Sequence, residues 1–431
     1  MAKLYPFRGI RYNPNRVRDV SQVVTQPYDR IGPKEEEEYL RRSPYNFVRL
    51  IGTKIPPQDP ASYAQRAELL QNWLAQGILV QDERPGFYLY RVRFAHEGKT
   101  FERLGFVALL DLRESLVKKH ERTLRGPKED RLKLLRATEA HLEHIFLLYR
   151  DPEGKATTAL LSAVGGAPPE MRAEDDFGNL HEMWHVSEPA AIAAVEDALG
   201  PLPVYIADGH HRFETAVVFM EECFGKGWKP AGPESFTAIP VTLVNVAAPG
   251  CVIRPTPRVV HGLPHFSLFR FLSAVREDFD LQELPNFSAA KEFLNAAPHR
   301  AEKVFVAYAA GKFYGLRLLK RPEEVVPGPH APAWKRLDVA ILHKVVLERI
   351  LGIDAETLAR GTHVEYTHTA EEAVKLLDEG KGQIAFLLNP TGVDEVLAVA
   401  DAGEPMPQKS TDFYPKLLSG LVAMKMGILK G

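Results

Sequence analysis

The sequence predicts a mixed α/β protein in which most strand pairs are antiparallel. Hairpin patterns, such as the apolar segments 87–94 and 100–111 joined by a His-Glu-Gly-Lys turn, outnumber clean strand–helix–strand units. Helical periodicity is also present, for example over 61–76, where apolar residues recur every three or four positions. The length of 431 residues suggests two or three domains. We expect an N-terminal α/β region over 1–115, a core over 116–260 and a C-terminal α/β domain over 261–431.

The remaining elements follow from short apolar runs, turn residues and helix caps. A helix is expected after Pro127, because proline at the first turn followed by acids suits the positive end of a helix dipole. Another begins after Ser187, a cap residue, and ends at Gly200. Further strands are predicted at 47–51, 144–149, 180–186, 203–207, 236–246, 251–260, 304–309 and 312–319, and further helices at 210–222 and 337–351.

Composition excludes several classes of protein. The chain has 54 Lys+Arg and 56 Asp+Glu, and this balance disfavours general nucleic-acid binding, which needs an excess of cations. Two cysteines, Cys223 and Cys251, are too few for a disulfide framework or a zinc cluster. No apolar run approaches the roughly 18–20 residues of a spanning helix. We also find no signal peptide, and we expect a cytoplasmic protein that does not enter a membrane.

One segment matches a metal-binding sequence motif but not the helical structure that the motif requires. Residues 181–185 read His-Glu-Met-Trp-His, which matches the zinc-protease pattern. That chemistry needs a helix, whereas this segment alternates as a strand, in which residues four apart lie roughly 13 Å from each other. We therefore expect no zinc at His181 and His185. Phosphate-binding loops of the GxxxxGK[ST] and GxGxxG kinds are absent.

The most informative segment is Asp208-Gly209-His210-His211-Arg212. An apolar strand ends at Asp-Gly, and a helix with a buried apolar stripe follows. The first turn of a helix has N–H groups without intrahelical acceptors, and glycine permits close approach of a ligand. Two imidazoles and a guanidinium beside it form a site suited to phosphate. Asp208 also suits a divalent cation, and the plainer alternative is a surface turn with solvated side chains.

A second cluster surrounds His120 and Glu121. Lys118 and Lys119 precede the pair and Arg122 follows it. Such a run is usually a solvated charged surface. Arg131, one turn or so inside the next helix, has the spacing to point back to the same place.

Both clusters resemble motifs of a known group of enzymes. The strand–DGHHR–helix segment is similar to the phosphate-binding motif of the ParB/sulfiredoxin-like superfamily, and in particular of its free serine kinases, which phosphorylate the hydroxyl of L-serine. Those kinases carry an upstream His-Glu pair whose glutamate is the catalytic base. The whole chain also resembles the conserved prokaryotic family called domain of unknown function number 1015. The segments that carry this second resemblance are 27–29, 118–121, 128–131, 208–212, 386–391 and 406–416.

The resemblance implies a ParB/sulfiredoxin-like core with N-terminal and C-terminal α/β additions. It implies a Mg²⁺-dependent kinase that uses ATP or ADP and acts on a small hydroxylated metabolite, with free L-serine as the best candidate. The alternatives are a non-catalytic nucleotide-binding switch and a phosphatase with the same anion site. Lys409-Ser410-Thr411 is either a phosphate clamp or a solvated loop.

The resemblance also implies roles for individual residues. The expected catalytic residues are Glu121, His120 and Arg212. The residues expected to bind the nucleotide are Asp208, Gly209, His210, His211, Arg212 and Arg131, and those expected to bind the metal are Asp208 and His210.

Overall fold

A computed structural model describes residues 1–121 and 125–431. It confirms the mixed α/β class, and it divides the chain into two compact units. The first unit contains 1–118, 123–251 and 415–431, and the second contains 119–122 and 252–414. The strands are β1 Leu4–Tyr5, β2 Ile10–Tyr12, β3 Leu79–Gln81, β4 Phe87–His96, β5 Lys99–Asp111, β6 Val117–Lys118, β7 Ala140–His141, β8 Ile145–Tyr149, β9 Met171–Glu174, β10 Leu180–Val186, β11 Val204–Asp208, β12 Lys229–Pro230, β13 Ala238–Asn245, β14 Val252–Ile253, β15 Arg258–Val260, β16 Phe279–Leu284, β17 Val304–Ala309, β18 Lys312–Leu318, β19 Val364–Tyr366, β20 Ile384–Leu388, β21 Phe413–Tyr414, β22 Met424–Lys425 and β23 Ile428–Leu429.

Helices cover much of the remaining chain. The α-helices are α1 Pro33–Arg42, α2 Val48–Ile51, α3 Ala61–Ala75, α4 Arg125–Thr138, α5 Lys155–Val164, α6 Pro189–Leu199, α7 His210–Gly225, α8 Leu268–Val275, α9 Phe287–Ala296, α10 Pro322–Val325, α11 Pro332–Lys335, α12 Asp338–Ile341, α13 Ala355–Arg360, α14 Ala370–Asp378 and α15 Val393–Asp401. A π-helix, Leu342–Ile350, continues α12, and 3₁₀ turns lie at Val20–Gln22, Tyr28–Arg30 and Pro298–Arg300. Among the described residues, no helix is long and apolar enough to cross a membrane.

The first unit is built on a mixed sheet. Its strands follow the order β6-β11-β8-β13-β5-β4-β10-β9, with β1 beside β5. The pairs β6–β11 and β8–β13 are parallel, and the others are antiparallel. One face of the sheet carries the apolar core, which α5, α6 and α7 cover with residues such as Leu160, Val195 and Phe213.

The last segment of the first unit returns to distant parts of the chain. Met424 and Lys425 in β22 pair with His141 and Ala140 in β7. Isolated bridges join Ala423 to Ile10 and Ser419 to Thr25. Residues 415–431 are therefore held by backbone hydrogen bonds to early parts of the sequence.

The second unit has its own sheet. Its order is β16-β18-β17-β20-β15-β19, and all of these pairs are antiparallel. Helices α9 and α14 pack on it through buried residues such as Ala290, Leu294 and Ala373.

Most of the predicted elements are confirmed, but two segments differ from the prediction. The single strand predicted over 251–260 is divided into β14 and β15, which belong to different sheets. The hairpin of β4 and β5 and the strand over 180–186 form as expected. The segment 47–51, predicted as a strand, instead contains helix α2. A segment of five residues, four of them apolar, is too short to set a period, so neighbouring structure decides the conformation.

Candidate anion-binding site

A strand, a tight turn and a long helix meet at residues 204–225. The apolar side chains of Val204 and Ile206 anchor β11 in the core, and Phe213 and Ala216 anchor α7. Between them Gly209 has φ +97°, a left-handed conformation that side chains disfavour. A Cβ at Gly209 would lie 3.2 Å from both Arg212 Nη2 and Ile145 Cδ1. Glycine therefore permits the turn that places the start of α7 directly after Asp208.

Asp208 is surrounded by positive charge. Its Oδ1 accepts a hydrogen bond from the Gly209 N–H at 2.9 Å, and its Oδ2 lies 3.4 Å from Nζ of Lys416. Burial raises the pKa of Asp208, but Lys416, Arg212 and Arg30 outweigh it and hold that pKa well below its usual range. The carboxylate therefore stays ionised at neutral pH and holds Lys416 at the start of α7.

Arg212 points inward from the first turn of α7. Its Nη1 donates to the carbonyl of His144 at 2.7 Å and lies 3.9 Å from Oε1 of Glu143. Burial lowers the pKa of Arg212, but Glu143, Asp208 and Asp29 raise it above its usual value. This guanidinium remains charged and is fixed on one side, as a group that binds phosphate should be.

Glu143 is a site residue that sequence reasoning missed. Its Oε1 accepts hydrogen bonds from the Tyr28 N–H at 3.1 Å and the Ser419 hydroxyl at 2.9 Å. It thus ties together three distant segments of the first unit. Tyr28 and Lys416 were not predicted as site residues either, but both lie in segments that carry the family resemblance, and that is a signal that could have found them.

Arg131 also lies in this cluster, but its guanidinium already donates hydrogen bonds to other residues. Nε donates to Asp130 Oδ2 and Nη1 to the carbonyl of Ile51, both at 2.8 Å. The guanidinium covers the ring of Tyr28 at 3.9 Å, and Nη1 is 3.8 Å from Oε2 of Glu143. Its contact with the site thus passes through Glu143 and Tyr28.

His120 and Glu121 belong to the second unit. His120 is buried, Glu121 is exposed, and the His120 carbonyl accepts a hydrogen bond from the Met406 N–H at 2.6 Å. Arg122, the next member of that charged run, lies outside the described residues.

The Lys409-Ser410-Thr411 segment belongs to the second unit and is held by hydrogen bonds within that unit. The Ser410 hydroxyl donates to the carbonyl of Pro407, and the Thr391 hydroxyl donates to that of Ser410. The hydroxyl of Ser410 is therefore engaged within the loop.

His181 and His185 lie on strand β10, as predicted. The Nδ1 atom of His181 is 2.6 Å from the Tyr90 hydroxyl, and its Nε2 atom is 2.9 Å from Oδ2 of Asp175. Both ring nitrogens are therefore engaged inside the first unit.

The described residues do not fit a magnesium site formed by the protein alone. Within 1–121 and 125–431, no group of three or more His, Cys, Asp or Glu side chains is placed to hold a metal ion. Mg²⁺ prefers oxygen ligands, and Asp208 offers one carboxylate. The charge of that carboxylate is already matched by Lys416, Arg212 and Arg30.

Comparison with known families identifies the group to which the chain belongs. The model of the family described as "Protein of unknown function (DUF1015)" matches residues 4–340. The match spans more than half of the sequence, so the chain belongs to this family. No curated protein matches the chain.

Several solved structures resemble this chain, with low sequence identity and low TM-scores. A free serine kinase in complex with AMP has 14% identity and a TM-score of 0.35, over 73% of this chain and 92% of its own. SbnI from Staphylococcus aureus, with a C-terminal truncation, has 10% identity and a TM-score of 0.35, over 73% of this chain and 85% of its own. A conserved hypothetical protein from Pyrococcus furiosus has 13% identity and a TM-score of 0.32, over 73% and 95%. Similarity at this level does not assign an activity to the chain.

Proposed function

We propose that this member of the DUF1015 family is a cytoplasmic phosphotransferase that moves the terminal phosphoryl group of ATP or ADP to the hydroxyl of a small metabolite. Free L-serine is the acceptor that we propose. The observation that carries the proposal is the start of α7, where Arg212 and Lys416 both meet Asp208. A helix N-terminus flanked by two fixed cations is suited to the phosphates of a nucleotide.

The proposed binding roles follow from this geometry. Backbone N–H groups after Gly209, at His210 and His211, would face the phosphates. Arg212 would stabilise charge on the transferred group, because its inner side is already held by His144 and Glu143. Arg131 would act through Glu143, since its own donors are occupied by Asp130 and Ile51.

The proposed chemical step is an in-line displacement. The acceptor hydroxyl oxygen forms a bond to the terminal phosphorus, and the bond from that phosphorus to the bridging oxygen breaks. The electron pair of the broken bond leaves with the shortened nucleotide, and the hydroxyl proton passes to the carboxylate of Glu121. We base the roles of Glu121 and its neighbour His120 on the motif, and phosphoryl transfer depends mainly on positioning and electrostatics. We propose Mg²⁺ as an ion held by the nucleotide phosphates, which commonly supply most of its ligands.

A direct assay separates this proposal from its alternatives. Purified full-length protein is incubated with ATP or ADP, Mg²⁺ and a pool of small hydroxylated metabolites, and products are identified by mass spectrometry. We expect O-phosphoserine and the shortened nucleotide in equal amounts. Nucleotide binding without any transferred phosphate would support a switch instead. A parallel incubation with phosphoserine and no nucleotide tests the third alternative, because release of inorganic phosphate there would support a phosphatase.

A further inference from the structure

Arg103 is a buried arginine that has no acidic partner within residues 1–121 and 125–431. It lies on β5 opposite Val92 of β4, and its exposed fraction is 2%. Burial lowers the pKa of Arg103, and the groups that oppose this effect are Tyr90 and Cys251. Neither is a carboxylate, and burying a guanidinium without a counter-charge is costly. The burial of this charge therefore needs a structural or functional explanation.

One nitrogen of Arg103 has no acceptor in the described part of the chain. Nη1 donates to the carbonyl of Pro415 at 2.8 Å, whereas the buried Nη2 has no hydrogen-bond partner among those residues. Arg258 in the second unit is also buried, yet its three nitrogens donate to His343, Thr256 and Lys409. Arg103 therefore keeps donors that a ligand oxygen can satisfy.

Arg103 is connected to the anion site through two neighbouring residues, Phe146 and Pro415. Its guanidinium lies 4.9 Å from the centre of the Phe146 ring, and Phe146 on β8 is paired with Asp208 on β11. The carbonyl that it binds belongs to Pro415, the residue before Lys416, which contacts Asp208 at 3.4 Å. Arg103 and the start of α7 are thus joined through two independent sets of contacts within one unit.

We propose that Arg103 binds the carboxylate of the acceptor, so that the acceptor is a hydroxy carboxylic acid. This inference rests on the proposed phosphotransferase function and assigns the residue that would recognise the carboxylate of an acceptor such as L-serine. The other charges of the cluster are equal in number, because the four cations Arg212, Lys416, Arg30 and Arg131 face the four acids Asp208, Glu143, Asp29 and Asp130. Arg103 adds one positive charge, which one carboxylate would match. Arg103 is not needed for the nucleotide phosphates, because these would be bound by the start of α7, Arg212 and Lys416.

The test compares acids with their matching alcohols in a binding experiment. L-Serine is paired with serinol, and glycerate with glycerol, because each alcohol replaces the carboxylate with a hydroxymethyl group. Calorimetry on the full chain is run with AMP present, which has no phosphoanhydride to transfer. We expect at least one acid to bind about tenfold or more tightly than its alcohol, as a charge-assisted contact requires. Arg103→Gln should remove that preference and leave the AMP affinity within twofold.

Two further variants complete the design. Arg93→Gln is the control, since Arg93 is a surface residue of β4 paired with Glu102, and the preference should persist in it. If Arg103→Gln does not fold, Arg103→Lys replaces it. The lysine keeps the charge but not the planar fork, and the preference should still fall severalfold.

Several outcomes would overturn the inference. These are the absence of any preference for an acid in the parent protein, a preference that survives both Arg103 variants, or a loss of AMP affinity in place of the loss of preference. Because binding needs no turnover, this result is distinguishable from failure of the phosphotransferase assay. If the protein binds an acid more tightly than its alcohol through Arg103 but transfers no phosphate, the proposed phosphotransferase activity is refuted and the carboxylate site is supported.

Discussion

Glu143 holds Arg212 from behind, with Oε1 of the acid 3.9 Å from Nη1 of the guanidinium. The same carboxylate accepts hydrogen bonds from Tyr28 and Ser419. One buried acid therefore fixes the cation at the start of α7 and the backbone around it.

The first prediction concerns Glu143→Gln, which keeps the volume and removes the charge. Loss of one partner of a buried ion pair costs about 3–5 kcal/mol. We expect the free energy of unfolding to fall by only about 2 kcal/mol, because Asp208 and Asp29 still face Arg212. Urea unfolding measures the change. Glu222→Gln, which breaks a surface pair with Arg136, is the control and should cost less than about 1 kcal/mol.

Arg212→Ala should weaken nucleotide binding about 10–150-fold, because a charge-assisted contact is lost. Because the bond from Arg212 to the His144 carbonyl also stabilises the fold, we expect the free energy of unfolding to fall by about 1–2 kcal/mol as well. Calorimetry with ATP and ADP gives the affinity. An unchanged affinity would remove Arg212 from the site, and Arg136→Ala serves as the surface control.

Glu121→Gln should separate catalysis from binding. A general base contributes about 10²–10⁴-fold to rate and little to donor affinity. We expect product formation to collapse by that factor while nucleotide affinity persists. Glu114→Gln, at an exposed glutamate paired with Lys3, should retain activity. If Glu121→Gln stays within a few-fold of the parent, then Glu121 is not the base.

Two buried histidines should make the first unit sensitive to acid. His144 contacts the carbonyl of Val422 through Nε2 and the Thr242 hydroxyl through Nδ1, an arrangement that suits the neutral ring. Burial lowers the pKa of His144 to about 4 and that of His141 to about 3. Their pKa in the unfolded chain is about 6.5. The unfolded state therefore binds protons first, and stability present above pH 6.5 is lost as the pH falls toward 4.

Urea unfolding at pH 7, 5.5 and 4.5 measures this loss. We expect His144 to account for a decrease on the order of 3 kcal/mol at the acid end. His144→Gln should flatten the pH dependence over that range, since glutamine does not titrate. A pH profile identical to that of the parent protein would contradict the assignment.

Local patterns predicted the β11–Gly209–α7 junction because each part carries its own signal: an apolar strand, an Asp-Gly turn and a periodic helix. The same reasoning failed for 47–51, where the local pattern was too short. Glu143 and Arg103 carry no local signal, because Glu143 is an isolated acid just before strand β8 and Arg103 is one basic residue inside strand β5. What they do depends on residues far away in sequence, and only the three-dimensional pairing reveals it.

The return of residues 415–431 to the first unit has a consequence during synthesis. Lys416 meets Asp208 across 208 positions of the chain, and the whole of 252–414 is translated between the two parts of the unit. Contacts of such long separation form late, after the cost in chain entropy of closing the loop has been met. A ribosome-bound chain that has not yet exposed Lys416 would hold Arg212 and Asp208 without their third charge. The proposed nucleotide affinity should therefore appear only after Lys416 has emerged from the ribosome, and a nascent chain stalled before that point would lack it.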